Sequence, residues 1–293
     1  MFQKKNKTMD LEDFDCKKLK TLCDDIINLE DSFTQKGYNI SSWYGNIDKI
    51  KFYDKLEKLN RGYNYQNILP EKYDKKFPSF LVWEIYNVYY GLNLQPGSCV
   101  LDIGGACSLF SFYLASKGIN VIAVDKNPII VNEANRIAKE LDLPYVAIEQ
   151  DAEDYIDNCK IQFDAITSIC VFEHIEINKR MRIMKKLDKI LKSSGEIALT
   201  FDYRNPSRFV GINTPDDVKN QFGCNHNLIF YGNQSFFDNH KNYLVHGFYH
   251  WKFFVKYKVR SIKKGNFKWK DFFKVKFKND YTFGVVFLRK KLL

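Results

Sequence analysis

One stretch of the sequence, residues 99–125, constrains the fold of this chain more than any other. It begins with a short apolar, β-branched run and continues through Gly104 and Gly105 into apolar residues at helical spacing. It then returns to a second β-rich run that ends at Asp125, and Gly118 lies where the helix between the runs would end. The pattern predicts a strand, a tight loop, a helix and a second strand. A ligand loop is expected at the carboxyl end of the first strand, where open α/β sheets bind their ligands.

The spacing between the loop and the acid at 125 indicates what the loop binds. A carboxylate at the end of the second strand can accept hydrogen bonds from both hydroxyls of a ribose held beside the first loop. The loop lacks the second and third glycines of the G-x-G-x-x-G dinucleotide fingerprint. Asp102 stands two residues before Gly104, and we expect it to point an anion into the mouth of the loop. Such an anion repels phosphate and suits a cationic amino group or a sulfonium, so the stretch predicts a nucleoside site; a unit that binds nothing is the structural alternative.

Residues 102–108 read DIGGACS and resemble the first motif of the class I S-adenosylmethionine-dependent methyltransferases, which runs acid-x-Gly-x-Gly-x-Gly. Ala106 and Ser108 stand where the family usually has glycine, and both are small enough for a ligand to approach the backbone. The resemblance implies a class I fold, S-adenosyl-L-methionine as the cofactor, and methyl transfer as the activity. The cofactor-binding residues that it implies are Asp102, Gly104, Gly105, Ala106, Ser108, Asp125, Lys126, Asp151, Ala152 and Ser168.

Two later positions extend this resemblance. In the family an acid after strand three binds the adenine amino group, and Asp151 followed by Ala152 stands at that place; an Asp there also suits a helix N-cap, and both roles can hold at once. Glu173 and His174, after the fourth predicted strand, resemble the Glu-His pair of many small-molecule methyltransferases and are the candidate catalytic residues. His174 would accept a proton from the acceptor as the methyl group arrives. The alternative is that His174 only caps or packs the following helix.

The end of the fourth strand also indicates the class of acceptor. Enzymes that methylate exocyclic amines of nucleic-acid bases typically carry Asp/Asn-Pro-Pro-aromatic here, and those that make C5-methylcytosine carry Pro-Cys, whereas residues 170–173 read CVFE. The sequence therefore predicts methylation of an oxygen or nitrogen of a small molecule, such as a cell-surface sugar or a phosphorylated precursor. Tyr203, Asn225 and His226 are the candidate substrate residues. No metal is predicted, because the i, i+4 histidines of HGFYHW lie in a β-prone run without an evident third ligand.

Strands alternate with helices between residues 98 and 202, which predicts an α/β fold with a doubly wound, mostly parallel seven-stranded sheet. Residues 1–97 show helical spacing alone, and we predict an N-terminal helical cap against the sheet edge and over the ligand mouth. Residues 203–293 would form a substrate-side insertion and an antiparallel C-terminal hairpin, made of residues 267–277 and 281–289, that completes the sheet. The predicted division is therefore a cap, a Rossmann-like core over 98–202 and this last region.

The net charge of +10 is a local feature of the chain. Residues 252–278 hold eleven Lys or Arg and one Asp, so the remainder has 45 − 11 = 34 basic and 35 − 1 = 34 acidic residues. The basic segment is interpreted in three ways: a solvated edge strand, a surface that attracts an anionic small substrate or membrane face, or an RNA-binding surface. An RNA methyltransferase is accordingly the alternative function. A nucleotide-dependent oxidoreductase and a non-catalytic nucleoside-binding protein are the alternatives from other classes.

Targeting signals and cysteine usage bear on the compartment. The sequence has no apolar run of 18 residues and no apolar stretch typical of a signal peptide near its start, so neither a membrane span nor a secretory signal is expected. Seven scattered cysteines without a C-x-x-C pair favour reduced thiols. These features predict a cytoplasmic protein, and they leave its oligomeric state open.

Overall fold

The computed structural model describes residues 15–38, 40, 79–204, 211–232 and 282–291. Seven strands form one sheet in the order β3-β2-β1-β4-β5-β7-β6. The strands are β1 (Cys99–Ile103), β2 (Asn120–Asp125), β3 (Tyr145–Glu149), β4 (Phe163–Ile169), β5 (Leu191–Tyr203), β6 (Leu228–Phe230) and β7 (Thr282–Lys290). The helices are α1 (Cys16–Gln35), α2 (Ser79–Gly91), α3 (Leu109–Ser116), α4 (Pro128–Glu140), α5 (Ala152–Asn158), α6 (Ile177–Met184), α7 (Leu187–Ile190) and α8 (Pro215–Phe222).

Strands β1 to β5 are parallel, and β7 lies antiparallel between β5 and β6. The carboxyl ends of the five parallel strands therefore share one edge of the sheet, which we call the carboxyl edge. This confirms the predicted doubly wound, mostly parallel seven-stranded sheet with antiparallel C-terminal strands.

Two apolar clusters, one on each face of the sheet, form the core of the described residues. Alternate side chains of each strand point to opposite faces, so Val100 and Ala198 join the cluster under α1 to α4, whereas Leu101 and Leu199 join the cluster under α5 to α8. Helices on both faces bury a parallel sheet completely, as its continuous apolar strands require.

Of the two described N-terminal helices, α2 packs directly on a face of the sheet, whereas α1 packs on other helices. Helix α2 lies over β4, β5 and β7, and a Cβ built on Gly91 would lie 2.4 Å from the Phe287 ring, so α2 approaches the sheet closely. Helix α1 packs on α2 and α3, and Lys117 on the turn after α3 forms a 2.6 Å ion pair with Asp25. The helical character of this region is confirmed for the described residues, and the division into domains stays a prediction.

The fold differs in local detail from what the sequence indicates. The amphipathic pattern of residues 178–191 predicts one helix, but α6 ends at Met184, a short α7 follows, and β5 already begins at Leu191. Strand β6, which pairs with Leu288, Arg289 and Lys290 of β7, was not predicted. The predicted hairpin strand 267–277 lies outside the described part of the chain, together with residues 252–266. Helix α8 was not predicted, although Pro at its first position and a capping box between Thr214 and Asp217 explain why it forms.

None of the helices in the described residues combines the length and the apolar content needed to cross a membrane.

Candidate active site

The glycine loop after β1 is shaped by close contacts within the protein. Gly104 has φ +74°, and its N–H donates to the Val124 carbonyl at 2.8 Å. A Cβ at Gly104 would lie 2.6 Å from Val171 Cγ1, and a Cβ at Gly105 would lie 1.8 Å from Asp102 Oδ2. Both positions therefore require glycine: Gly104 for its left-handed backbone and for contact with Val171, Gly105 for contact with Asp102.

Asp102 lies beneath the loop and does not point into the mouth, as the sequence had led us to expect. Only 1% of the residue is exposed. Its carboxylate accepts hydrogen bonds from the Ser111 hydroxyl and, at 2.9 Å, from the Thr167 hydroxyl. Burial raises the pKa of Asp102 to about 6 against the opposite effect of these hydrogen bonds. Asp102 thus holds β1, α3 and β4 together under the loop.

The remainder of the loop is also fixed by hydrogen bonds. Ala106 is buried, and Cys107 has φ +59° with its N–H donating to the Tyr145 hydroxyl at 3.2 Å. Ser108 is the N-cap of α3, where its Oγ accepts from the Ser111 N–H at 3.0 Å. The small residues that replace glycine in the motif therefore form a rigid turn.

Carboxylates stand at the ends of β2 and β3, next to the loop. Asp125 is partly exposed, and its Oδ1 accepts from the Asn127 N–H at 3.0 Å. Asp151 caps α5 through the Glu153 N–H at 2.9 Å, which confirms the predicted N-cap, and Ala152 is the first residue of that helix.

Two lysines meet at Asp151. Lys126 forms an ion pair with Asp151 Oδ2, and Lys179 Nζ lies 2.5 Å from the same oxygen. Burial alone would raise the pKa of Asp151, but the hydrogen bonds from Lys126 and Lys179 outweigh it and hold the pKa well below its usual range. Asp151 is therefore ionised at any physiological pH.

The segment after β4 brings the predicted catalytic pair to the carboxyl edge. The fully buried Ser168 donates through Oγ to the Ile103 carbonyl at 2.8 Å and so ties β4 to the end of β1. Glu173 and His174 form one 3₁₀ turn with Phe172. The Glu173 side chain is buried, the His174 side chain is 50% exposed, and Nε2 lies 4.0 Å from Glu173 Oε1. The exposed imidazole is thus held beside a buried carboxylate.

Three functional candidates that the sequence analysis missed surround this turn. The Cys170 Sγ and carboxylate oxygens of Glu173 and Asp202 lie within 4.8 Å of one another. Glu84 of α2 reaches the same place, because its Oε1 accepts from Cys170 Sγ at 2.6 Å. Burial raises the pKa of Glu84 to about 8, the charges of Glu173 and Asp202 add to it, and hydrogen bonds from Cys170 and Thr200 oppose it. A lone acid inside the apolar helix at 79–91 was the signal that could have found Glu84.

The predicted substrate residues are divided between the two edges of the sheet. Tyr203 ends β5 at the carboxyl edge. Asn225 and His226 precede β6, whose Leu228 pairs with Lys290 near the amino end of β5, so they lie at the opposite edge. The Asn225 amide donates to Asp188 Oδ1 and to the Met184 carbonyl. The structure therefore does not bring Asn225 and His226 together with the other candidates, and Asn225 instead holds the turn before β6.

Backbone strain also concentrates at the carboxyl edge. Of the four non-glycine residues with positive φ among those described, Cys107, Cys170 and Arg204 follow β1, β4 and β5. Such conformations persist only where the surroundings impose them, and they cluster at functional sites.

Comparison with known proteins agrees with this geometry. Residues 100–195 match the family described as "Methyltransferase domain". The chain is 30% identical over 114 residues to a ubiquinone biosynthesis O-methyltransferase of Xanthomonas campestris, an alignment that covers 39% of this chain and 47% of that protein. It is 28% identical over 109 residues to the ribosomal RNA small subunit methyltransferase J of Coxiella burnetii, with 35% and 42% covered. The chain thus spans about half the length of the curated relatives it matches.

Among solved structures, TehB from Haemophilus influenzae superimposes with a TM-score of 0.46 at 15% identity, covering 71% of this chain and 62% of that chain.

The strand order, in which the antiparallel strand β7 lies between β5 and β6, is typical of the Rossmann-like methyltransferase fold. Residues 100–195 match a methyltransferase domain, and together with the strand order this match supports a class I S-adenosylmethionine-dependent methyltransferase.

Proposed function

We propose that this chain is an enzyme that transfers a methyl group from S-adenosylmethionine to an oxygen or nitrogen of a small molecule. One observation carries the proposal: the glycine loop, Asp125 and the Glu173–His174 turn follow the adjacent strands β1, β2 and β4 at one edge of the sheet. All of them lie within the matched domain.

The residues at this edge fit an adenosyl group. The two oxygens of Asp125 offer about four acceptor sites, of which one takes the Asn127 N–H, so the carboxylate can also accept from ribose hydroxyls. Asp151 is kept ionised and would accept from the adenine amino group, beside Ala152 and Lys126. Gly104, Gly105, Ala106 and Ser108 would line the loop, while Asp102 and Ser168 would support it from beneath.

When bound, S-adenosylmethionine supplies a methyl group activated by its sulfonium. The protein must align the acceptor and exclude water, and alignment can lower the barrier by about 7–11 kcal/mol, which is more than the ~10²–10⁴-fold that a general base contributes. In our proposal the exposed His174 accepts the proton of the acceptor, and the Glu173 carboxylate stabilises the imidazolium that results. Tyr203 would contact the acceptor from the end of β5.

A small acceptor is supported by the likeness to ubiquinone biosynthesis O-methyltransferases. An RNA acceptor is the second candidate, which the likeness to a ribosomal RNA methyltransferase and the basic segment 252–278 favour. The same basic segment would also attract an anionic small molecule, so the more specific form of the first proposal is that the small-molecule acceptor is anionic.

Two measurements test the proposal. Calorimetry should detect binding of S-adenosylhomocysteine; binding of NAD without binding of S-adenosylhomocysteine would refute it. Radiolabelled methyl transfer to cell-extract fractions, separated into small molecules and RNA, then identifies the acceptor class. Label in nuclease-sensitive material, with retention on RNA that weakens steeply as salt rises, would replace the small-molecule proposal by the RNA one.

A further inference from the structure

A chain of contacts joins helix α2 to the glycine loop, and the proposed reaction does not require it. Its first link is the Glu84 carboxyl, which accepts hydrogen bonds from the Cys170 thiol at 2.6 Å and from the Thr200 hydroxyl. Glu84 and Cys170 are 86 positions apart in sequence. Glu84 thus connects α2 with the ends of β4 and β5.

The second link is the backbone of Cys170. Its N–H donates to the Thr200 carbonyl at 3.2 Å and to Thr200 Oγ1 at 3.1 Å, and its φ is +51°. A left-handed conformation at a residue other than glycine costs about 1–3 kcal/mol, so the surroundings must hold it. Glu84 and Thr200 hold the Cys170 side chain and backbone respectively.

The third link leads to the cofactor loop. Val171 follows Cys170, and its side chain packs so closely on Gly104 that a Cβ there would lie 2.6 Å away. The Val171 carbonyl also accepts from the His174 N–H at 2.9 Å. The conformation of Cys170 therefore sets both the contact with the glycine loop and the turn that carries His174.

We infer that Glu84 is a positioning residue for the cofactor loop: its protonated carboxyl holds Cys170 and so keeps Val171 on Gly104, and ionisation of Glu84 releases this contact. This inference rests on the proposed function, because the proposed function assigns the binding of an adenosyl group to this loop.

The charges around Glu84 explain why ionisation would release the contact. Among the described residues, the titratable groups that face it are Cys170 and Glu173 after β4 and Asp202 on β5, whereas β7 packs Phe287 against α2. Burial and the two acidic neighbours favour the protonated form at neutral pH. Above about pH 8, a third negative charge would be buried beside Glu173 and Asp202. A carboxylate accepts the hydrogen bonds of Cys170 and Thr200 more strongly, but desolvation and the repulsion by the two acids outweigh these bonds, so the ionised Glu84 side chain would leave the bridge.

Affinity for S-adenosylhomocysteine between pH 7 and pH 9 tests this role in the wild type, Glu84→Gln and Glu84→Ala. If only the protein with neutral Glu84 binds well, the apparent Kd of the wild type should rise about tenfold between these two pH values. Glu84→Gln keeps a neutral group of the same shape, so its Kd should change only as much as ionisation of the ligand requires. Glu84→Ala should bind weakly at both values, and Glu140→Gln, an exposed acid-to-amide control, should follow the wild type.

Equal pH profiles for the wild type and Glu84→Gln, or wild-type affinity in Glu84→Ala, would overturn the inference. Hydrogen–deuterium exchange of the backbone amides in residues 104–108 and 170–174 tests the inference without any ligand. The exchange rates are corrected for the intrinsic effect of pH. Protection should fall from pH 7 to pH 9 in the wild type and not in Glu84→Gln; the same change in both proteins contradicts the positioning role. If the wild type binds no S-adenosylhomocysteine at either pH, the proposed function fails, and the exchange data decide the role of Glu84 alone.

Discussion

Asp125 is the residue on which recognition of the nucleoside depends most directly in our proposal. Asp125→Ala should weaken S-adenosylhomocysteine binding by about 1–3 kcal/mol, because the ribose hydroxyls lose a charged acceptor at a partly buried position. Calorimetry measures the change, with the exposed Asp216 on α8 as the site of a matched Asp→Ala control. An affinity equal to that of the wild type would remove Asp125 from the binding site.

His174 is the residue at which catalysis and structure can be separated. If it accepts the acceptor proton, His174→Gln should lower the rate by about 10²–10⁴-fold and abolish the acidic limb of the pH–rate profile, because glutamine cannot take up a proton. His226→Gln, at the opposite edge of the sheet, should leave rate and profile unchanged. A His174→Gln enzyme with normal turnover means that the imidazole only packs the turn.

Single residues also show where a sequence is informative and where it is not. The left-handed glycine, the N-cap at Asp151 and the acid at the end of β2 follow from local patterns, so they could be predicted. The direction of Asp102 could not, because it depends on Ser111 and Thr167 in two other elements. Asn225 is a polar residue in the region predicted to lie on the substrate side, but its place in the fold depends on how β6 pairs with β7.

At the scale of elements, β3 lies at the edge of the sheet formed by the described residues, and a side chain protects it. The Asn135 amide on α4 donates to the Ala147 carbonyl at 2.8 Å, and its oxygen accepts from the Ala147 N–H at 2.8 Å. The side chain thus occupies the place of a neighbouring strand and satisfies backbone groups that would otherwise be open for pairing with another molecule.

Asn135→Ala should lower the free energy of unfolding by about 1–3 kcal/mol, because two backbone groups lose their partners. It should also cause concentration-dependent self-association. Urea unfolding and sedimentation measure the two effects, and Asn158→Ala, an exposed position at the end of α5, serves as the control. A variant as stable and as monodisperse as the control would show that water replaces the amide without loss.

The success of element prediction followed the strength of local periodicity. The unit from β1 to β2 could be predicted because apolar residues change from a strand pattern to a helical pattern and back within 27 residues. Strand β6 has three residues, too few for alternation to be visible, and it is specified by its pairing with Leu288, Arg289 and Lys290. Its place in the sheet is thus a tertiary property.

At the scale of the whole molecule, buried acids make stability depend on pH. In the folded chain burial raises the pKa of Glu84 from 4.5 to about 8 and that of Asp102 from 3.8 to about 6. Between the two values of each group, the folded state retains a proton that the unfolded chain has released. The unfolded state therefore binds fewer protons, and the free energy of unfolding falls as pH rises through these windows.

Glu84→Gln removes the larger of these contributions, since glutamine does not titrate. The free energy of unfolding of the variant minus that of the wild type should therefore increase by about 1–4 kcal/mol between pH 5 and pH 8. The upper end corresponds to the maximum of about 1.36 kcal/mol for each unit of pH. Urea unfolding at pH 5, 6.5 and 8 measures the difference, with exposed Glu149→Gln as the control. If the difference between wild type and variant stays constant over this range, Glu84 ionises normally, and α2 cannot be coupled to the carboxyl edge through its protonation.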